Sequence, residues 1–184
     1  MIPYGRQHLD EDDVKAVVET LTSNWLTQGP AIPKFETALA DYCGANFGIA
    51  VNSATSALHI ACLALGVSEG DRVWTSPNSF VASSNCALYC GAKVDFVDID
   101  LHTGNMCVDV LRNKLALAES TNALPKVVIP VHFAGQPCDM KEIRALSKQY
   151  GFFVIEDASH AVGAKYQEKF VGSCEFSDIC VFSF

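Results

Sequence analysis

Short apolar runs alternate along this chain with stretches that carry apolar residues at helical spacing. The runs are FGIAV (47–51), DRVWTS (71–76), KVDFVDID (93–100), KVVIPVHF (126–133), FFVIED (152–157) and SDICVFSF (177–184). Strands that are joined through helices lie parallel in one sheet, because each crossover returns the chain to the same edge. The pattern therefore predicts an α/β fold, a three-layer sandwich with a mostly parallel central sheet covered by helices on both faces.

Helix signals mark the segments between the runs. We predict a helix over 10–23, with acids in its first turn, and a second helix that opens at Pro30 and ends at Gly44. Ser and Thr begin the helical stretch after residue 52. The spacing of Asp139 and Glu142 predicts a capping box at the start of another helix.

Polar residues follow several of the runs directly. Asn52 and Ser53, Asp98, His132 and Asp157 each come at or just after the end of a predicted strand. In parallel sheets, ligands bind beyond the carboxyl ends of the strands. The sequence therefore predicts a ligand site at this edge.

Composition argues against nucleic acid, membrane and metal as partners of this chain. The 184 residues are enough for one domain with a sizeable core, and the net charge of −8 argues against a nucleic-acid partner. No stretch approaches the roughly 18 apolar residues of a membrane span, so no membrane partner is expected. The eight cysteines lack metal-ligand spacing and are interpreted as reduced, mostly buried side chains of a cytoplasmic protein, with no metal site.

Three local patterns have a functional and a purely structural interpretation. NSATSALH (52–59) suits a phosphate at a helix N-terminus, or is an ordinary helix cap. Phe80 lies beyond a strand end, where it could stack on a flat ring or anchor a helix in the core. Asp157 could hold the proton of a pyridine nitrogen or cap the segment that follows it, and His160 could lie beside the same ring or be a core histidine.

Longer runs of this sequence resemble the sugar-nucleotide aminotransferases that use pyridoxal 5′-phosphate. The runs are WLTQGPAIPKFETALADYCG (25–44), AVNSATSALHIACLALG (50–66), VVIPVHFAGQPCDM (127–140), VIEDASHAVGAKY (154–166) and VFSF (181–184). The resemblance covers essentially the whole chain in order. Within the family, YGRQ (4–7) and NCALYCGAKVDFVDID (85–100) are most similar to enzymes of pseudaminic acid biosynthesis.

The resemblance implies roles for individual residues. Asp157 would pair with the pyridine nitrogen and His160 would lie near the ring hydroxyl, both as catalytic residues. Phe80 would stack on the ring. The cofactor phosphate would be contacted by Ala54, Thr55 and Ser183. The sugar nucleotide would be contacted by Thr27 and Gln28.

The family's Schiff-base lysine follows the FSF strand by a few residues, and this sequence ends at Phe184. We therefore expect the chain to be an N-terminal fragment. Its expected parts are an N-terminal helical segment (1–30) and a partial large cofactor-binding domain (31–184), with the small C-terminal domain absent.

The activity implied is transamination of a UDP-linked 4-keto-6-deoxy-N-acetylhexosamine, with L-glutamate as amino donor, in a homodimer whose site forms at the subunit interface. Three alternatives stay open. They are a sugar dehydratase of the same family, a non-catalytic fragment, and a nicotinamide-dependent enzyme, although the last would need a glycine fingerprint that the sequence lacks.

Overall fold

A five-stranded parallel sheet lies at the centre of the computed structural model, which describes residues 7–184. Its strands are β1 (Arg72–Thr75), β2 (Lys93–Phe96), β3 (Val127–Ile129), β4 (Phe153–Asp157) and β7 (Ile179–Val181), in the order β2-β1-β3-β4-β7. A separate antiparallel hairpin pairs β5 (Lys165–Tyr166) with β6 (Lys169–Phe170). The helices are α1 (Glu11–Thr22), α2 (Ala31–Cys43), α3 (Ala54–Ala64), α4 (Ala82–Tyr89), α5 (Val108–Ser120) and α6 (Met140–Tyr150).

Apolar cores cover both faces of the sheet. On one face, residues of α3 and α4 such as Leu58 and Cys86 pack with Ile155 of β4. On the other face, residues of α5 and α6 such as Leu111 pack with Val154. Neighbouring strand residues point to opposite faces, so consecutive positions of β4 belong to different cores. The predicted three-layer α/β sandwich with a parallel central sheet is confirmed.

The strand order places a crevice at the carboxyl edge of the sheet. The chain passes from β1 through α4 to β2 on one side, and then returns through α5 to β3 on the other side of β1. Loops that leave two adjacent strands in opposite directions open a gap between them, where open α/β sheets bind ligands. Here the gap lies beyond the carboxyl ends of β1 and β3. At these ends the Thr75 hydroxyl of β1 donates a hydrogen bond to the Ile129 carbonyl of β3 at 2.9 Å.

The helix ends follow the sequence signals in most cases. Asp10 caps α1 and forms a capping box with Asp13, while Gly44 ends α2 in the left-handed conformation with φ of 76°. The predicted capping box at Asp139 is wrong, because Asp139 makes no side-chain capping bond. Its carboxylate accepts a hydrogen bond from the Tyr166 hydroxyl at 2.5 Å instead. Tyr166 of the hairpin thus binds the carboxylate that would otherwise have capped the helix.

The predicted strand FGIAV is also wrong. Residues 47–51 form no strand in the described part of the chain, and Phe47 and Ile49 are 87% and 82% exposed. The Ala50 amide donates to the Glu36 carboxylate at 2.8 Å rather than to a neighbouring strand. A strand exists only where another backbone offers ladder hydrogen bonds, and residues 7–184 offer none beside this segment.

Helix α1 is present, but none of its residues is buried. Its apolar stripe of Val14, Val17, Val18 and Leu21 is more than half exposed at every position. Caps and local spacing therefore define this helix, and nothing in residues 7–184 covers its stripe. Residues 1–6 of the predicted N-terminal segment, including most of YGRQ, lie outside the described residues. No helix of the described chain combines the length and hydropathy that a membrane crossing requires.

Exchange of Asp71 for asparagine is expected to lower the free energy of unfolding of the full-length protein by about 1 kcal/mol at pH 7. The Asp71 carboxylate accepts from Lys126 Nζ at 2.9 Å and from the Ser68 amide, and the Lys126 hydrogen bond lowers the pKa of Asp71. A lowered folded-state pKa stabilises the fold above the unfolded-state pKa, and that stabilisation disappears as the pH falls through the folded-state pKa.

The difference between D71N and the parent should therefore disappear as the pH falls through the lowered pKa of Asp71. Thermal unfolding midpoints measured at neutral pH and across the acid range test this. D109N is the control, since Asp109 pairs with Arg112 at the surface with 83% of its side chain exposed, and it should change the midpoint little. A D71N deficit of equal size at neutral pH and across the acid range would contradict the assignment.

Candidate active site

The carboxylate of Asp157 is buried at the carboxyl end of β4, where the residue is 4% exposed. Its Oδ2 accepts a hydrogen bond from Ser83 Oγ at 2.6 Å. Its Oδ1 accepts from Ser159 Oγ at 2.7 Å and from the Ser159 amide at 3.3 Å. None of the ion pairs formed within residues 7–184 involves Asp157.

This environment suits a cationic hydrogen-bond donor. A carboxylate has about four lone-pair sites, and the three bonds to Asp157 leave acceptor capacity on it. Burying an anion with only hydroxyl and amide partners is costly, and a cation at hydrogen-bond distance compensates that cost. The protonated nitrogen of a pyridine ring is such a donor, so the donor set around Asp157 fits the ring of pyridoxal phosphate.

The first turn of α3 offers backbone donors at the same edge. Ser53 caps the helix by accepting from the Ser56 amide at 3.2 Å, which leaves the amides of Ala54 and Thr55 without partners inside the helix. The chain runs from the end of α3 to the amino end of β1, so the start of α3 lies towards the carboxyl edge. Ser53 is therefore a helix cap, and the free amides beside it also fit an anion such as a phosphate.

Phe80 and His160 lie at the surface rather than in the core. Phe80 follows β1 and is 76% exposed, so it does not anchor α4 in the core as the structural interpretation required. His160 is exposed in the turn after β4, and its ring meets that of Phe133 edge-on at 6.4 Å between centroids. Ser183 is exposed two residues beyond β7. All three are accessible at the strand ends where the site was predicted.

The turn that contacts His160 is tightly built. Phe133–Gly135 form a short 3₁₀ turn after β3, and the Phe133 amide donates to Asn105 Oδ1 at 3.0 Å. Gly135 has φ of 86°, and a Cβ at this position would lie 2.9 Å from the His160 carbonyl oxygen. The backbone of this turn therefore packs directly against the segment that carries His160.

Three further predicted residues make no recorded hydrogen bond with Asp157. Asp98 lies at the predicted carboxyl edge, two residues beyond the outer strand β2, where it is exposed and accepts from the Ile99 amide. Thr27 and Gln28 are exposed between α1 and α2, and the described structure records no hydrogen bond between them and the strand ends. Within residues 7–184, no group of three or more His, Cys, Asp or Glu side chains could hold a metal ion.

His132 was predicted at the ligand edge, but it is fully buried and binds Glu156 Oε2 through Nε2 at 2.7 Å. Sequence reasoning missed this pair, and it also missed Ser83 and Ser159 as partners of Asp157. The adjacent carboxylates Glu156 and Asp157 were a usable signal, because residues next to each other on a strand point to opposite faces. The Ser83 contact joins positions 74 residues apart, which no local pattern indicates.

The chain is similar in sequence to known proteins over all of its described residues. Residues 7–184 match the model of the DegT/DnrJ/EryC1/StrS aminotransferase family. The chain is 40% identical over 183 residues to the spore coat polysaccharide biosynthesis protein SpsC of Bacillus subtilis, covering 100% of this chain and 45% of that protein. It is 40% identical over 184 residues to the UDP-4-amino-4,6-dideoxy-N-acetyl-beta-L-altrosamine transaminase of Campylobacter jejuni, covering 100% of this chain and 47% of the relative.

Solved structures show the same relationship. PseC of Helicobacter pylori, an aminotransferase involved in pseudaminic acid biosynthesis, superimposes with a TM-score of 0.89 at 34% identity over 99% of this chain and 47% of PseC. The PLP form of the sugar aminotransferase Spr1654 of Streptococcus pneumoniae gives 0.85 at 30% identity over 100% of this chain and 48% of that one. The chain thus spans about half the length of these relatives. Its sequence and fold together show that it belongs to the DegT/DnrJ/EryC1/StrS aminotransferase family.

Proposed function

We propose that the full-length protein is a pyridoxal-phosphate-dependent aminotransferase that transfers the amino group of L-glutamate to a UDP-linked 4-keto-6-deoxy-N-acetylhexosamine. The observation that carries the proposal is the buried Asp157 carboxylate, which has hydroxyl and amide partners only, at the crevice of the sheet. Family membership supports the reaction, and the Campylobacter and Helicobacter relatives support the substrate class. Nucleotide-sugar synthesis, as in the pseudaminic acid pathway, is the proposed setting.

Pyridoxal phosphate supplies the electron sink and the carrier of the amino group when it is bound. Asp157 holds the proton on the ring nitrogen, and its buried position makes that hydrogen bond stronger than it would be in water. Ser83 and Ser159 fix the direction of both carboxylate oxygens. Phe80 is accessible for stacking on the ring, and His160 for contact with the ring hydroxyl.

The remaining residues bind the ends of the ligands. The free amides of Ala54 and Thr55 at the start of α3, with Ser183 beyond β7, hold the cofactor phosphate. Thr27 and Gln28 contact the sugar nucleotide. The Schiff-base lysine that the family resemblance implies would remove and return protons at the reacting carbon.

We propose a homodimer with the site at the subunit interface, located in the cytoplasm. The exposed stripe of α1 and the exposed Phe47 and Ile49 support burial against further protein in the complete assembly. All eight cysteines are free, which is typical of proteins in a reducing compartment.

Incubation of the full-length protein with pyridoxal phosphate, L-glutamate and the UDP-linked keto sugar tests the reaction. We expect one 2-oxoglutarate for each sugar converted, and a nucleotide sugar whose mass shows a ketone replaced by an amine. Loss of water from the sugar without consumption of glutamate would identify the dehydratase instead. In a parallel incubation with a nicotinamide cofactor, a change in nicotinamide absorbance that depends on the sugar would identify the nicotinamide enzyme. In the first incubation, no conversion with bound pyridoxal phosphate would reject the substrate class.

A further inference from the structure

We propose that Glu156 is a positioning residue for the candidate active site. Through His132 it holds the segment after β3, which carries the turn at Phe133 and is hydrogen-bonded to the backbone of Asp157. Ser177 holds its other carboxylate oxygen. The inference rests on the proposed function, because it assigns Glu156 an effect on the affinity for pyridoxal phosphate. No contact between Glu156 and the ligand is required, since Glu156 and Asp157 point to opposite faces of the sheet.

The opposite orientation follows from the cores on either side. Asp157 contacts Ser83 of α4, which lies on the α3 and α4 face. Glu156 contacts His132 and Ser177, and it lines a small cavity with Met140 of α6 on the other face. Glu156 is 5% exposed, so its carboxylate is as desolvated as that of Asp157. Two buried carboxylates therefore lie back to back at the end of β4.

The direction of each hydrogen bond around Glu156 is fixed by chemistry. The Cys138 amide can only donate, and it donates to His132 Nδ1 at 3.2 Å. The imidazole proton therefore lies on Nε2, which donates to Glu156 Oε2 at 2.7 Å. Ser177 Oγ donates to Glu156 Oε1. Both oxygens of the carboxylate are thus engaged by residues from different segments of the chain.

These contacts are continuous with the backbone of the candidate site. The His132 amide donates to the Asp157 carbonyl at 3.0 Å, and the Asp157 amide donates to the Pro130 carbonyl at 3.0 Å. A displacement of His132 would therefore displace the Asp157 backbone, together with the Phe133 turn that follows His132. Ser177 lies two residues before β7, at the amino end of that strand, and holds the second oxygen of the Glu156 carboxylate from that side. The buried carboxylate therefore links the carboxyl ends of β3 and β4 at the edge that carries the candidate site.

The affinity of the full-length protein for pyridoxal phosphate tests this proposal, measured by quenching of intrinsic fluorescence, with the thermal midpoint measured in parallel. Glu156→Leu leaves the His132 and Ser177 donors without acceptors, and the Kd should rise about 10-fold or more. Glu156→Gln keeps the shape, because its carbonyl accepts from His132 and its amide donates to Ser177, and the Kd should stay within about 2-fold. Ser177→Ala removes one contact alone and should raise the Kd about 3-fold. This variant keeps the proposal testable if Glu156→Leu does not fold.

Ser147→Ala is the matched control. Ser147 is equally buried and donates to the Phe152 carbonyl at 2.6 Å on the same face, away from the strand ends. It should lower the thermal midpoint without changing the Kd. Equal Kd values for Ser177→Ala, Glu156→Leu and the control would overturn the positioning role, as would a Glu156→Gln protein that binds as weakly as Glu156→Leu. Absence of cofactor binding by the unaltered protein would overturn the proposed function as well, so the two failures are distinguishable.

Discussion

Replacement of Asp157 by asparagine in the full-length protein is expected to lower kcat about 100-fold or more, while the thermal midpoint changes little. Asparagine matches aspartate in shape, so its carbonyl can accept from Ser159 and its amide can donate to Ser83 Oγ. The amide carries no charge, however, and cannot hold a proton on a ring nitrogen as a carboxylate does. Steady-state release of 2-oxoglutarate gives kcat, and differential scanning calorimetry gives the midpoint.

The same exchange at Asp178 is the matched control. Asp178 is 23% exposed in its side chain, pairs with Arg144 at 3.2 Å and accepts from the Val154 amide, without contact to Asp157. D178N should lower the midpoint modestly and leave kcat near that of the parent. A D157N enzyme with kcat within about 5-fold of the parent would contradict the role of Asp157 as the group that keeps the ring protonated.

Replacement of Gly135 by alanine is expected to weaken binding of pyridoxal phosphate about 10-fold and to lower the free energy of unfolding by about 2 kcal/mol. The φ of 86° is in the left-handed region, which costs an L-residue roughly 1–2 kcal/mol. In addition, the new Cβ would lie 2.9 Å from the His160 carbonyl oxygen, so the turn or the His160 segment must move. That movement displaces a residue assigned to the cofactor ring.

Gly151→Ala separates these two effects. Gly151 ends α6 with φ of 78°, and a Cβ there would meet nothing within 4 Å. It should therefore lower stability through backbone strain alone and leave the Kd for pyridoxal phosphate unchanged. If Gly135→Ala and Gly151→Ala have equal Kd values, contact between the Phe133–Gly135 turn and the His160 segment has no part in cofactor binding.

Local sequence patterns were sufficient for most of the helices and for the sheet class. Asp10 and Gly44 mark helix ends where they were predicted, because caps and left-handed glycines satisfy backbone groups within a few residues. Local patterns failed where a distant group decided the outcome. Asp139 loses its capping role to Tyr166, and residues 47–51 find no partner strand within residues 7–184.

The candidate site shows the same division. The position of Asp157 at a strand end was predicted from a short apolar run that stops at a carboxylate. The roles of His160, Phe80 and the phosphate contacts were assigned from the resemblance to the family. Those assignments stay predictions that the experiments above test. His132 lies at the predicted edge, just beyond β3, but its ring is buried against Glu156 and does not face the crevice.

The sequence alone therefore determined the α/β class, the helix boundaries with strong caps, and the edge of the sheet where a ligand would bind. Only the tertiary structure decided which polar side chains at that edge face the crevice and which are buried behind it. The physical reason is that a buried polar group must find a hydrogen-bond partner, and here those partners lie far away in sequence. Ser83 is 74 residues from Asp157 and His132 is 24 from Glu156, separations that only the folded chain brings together.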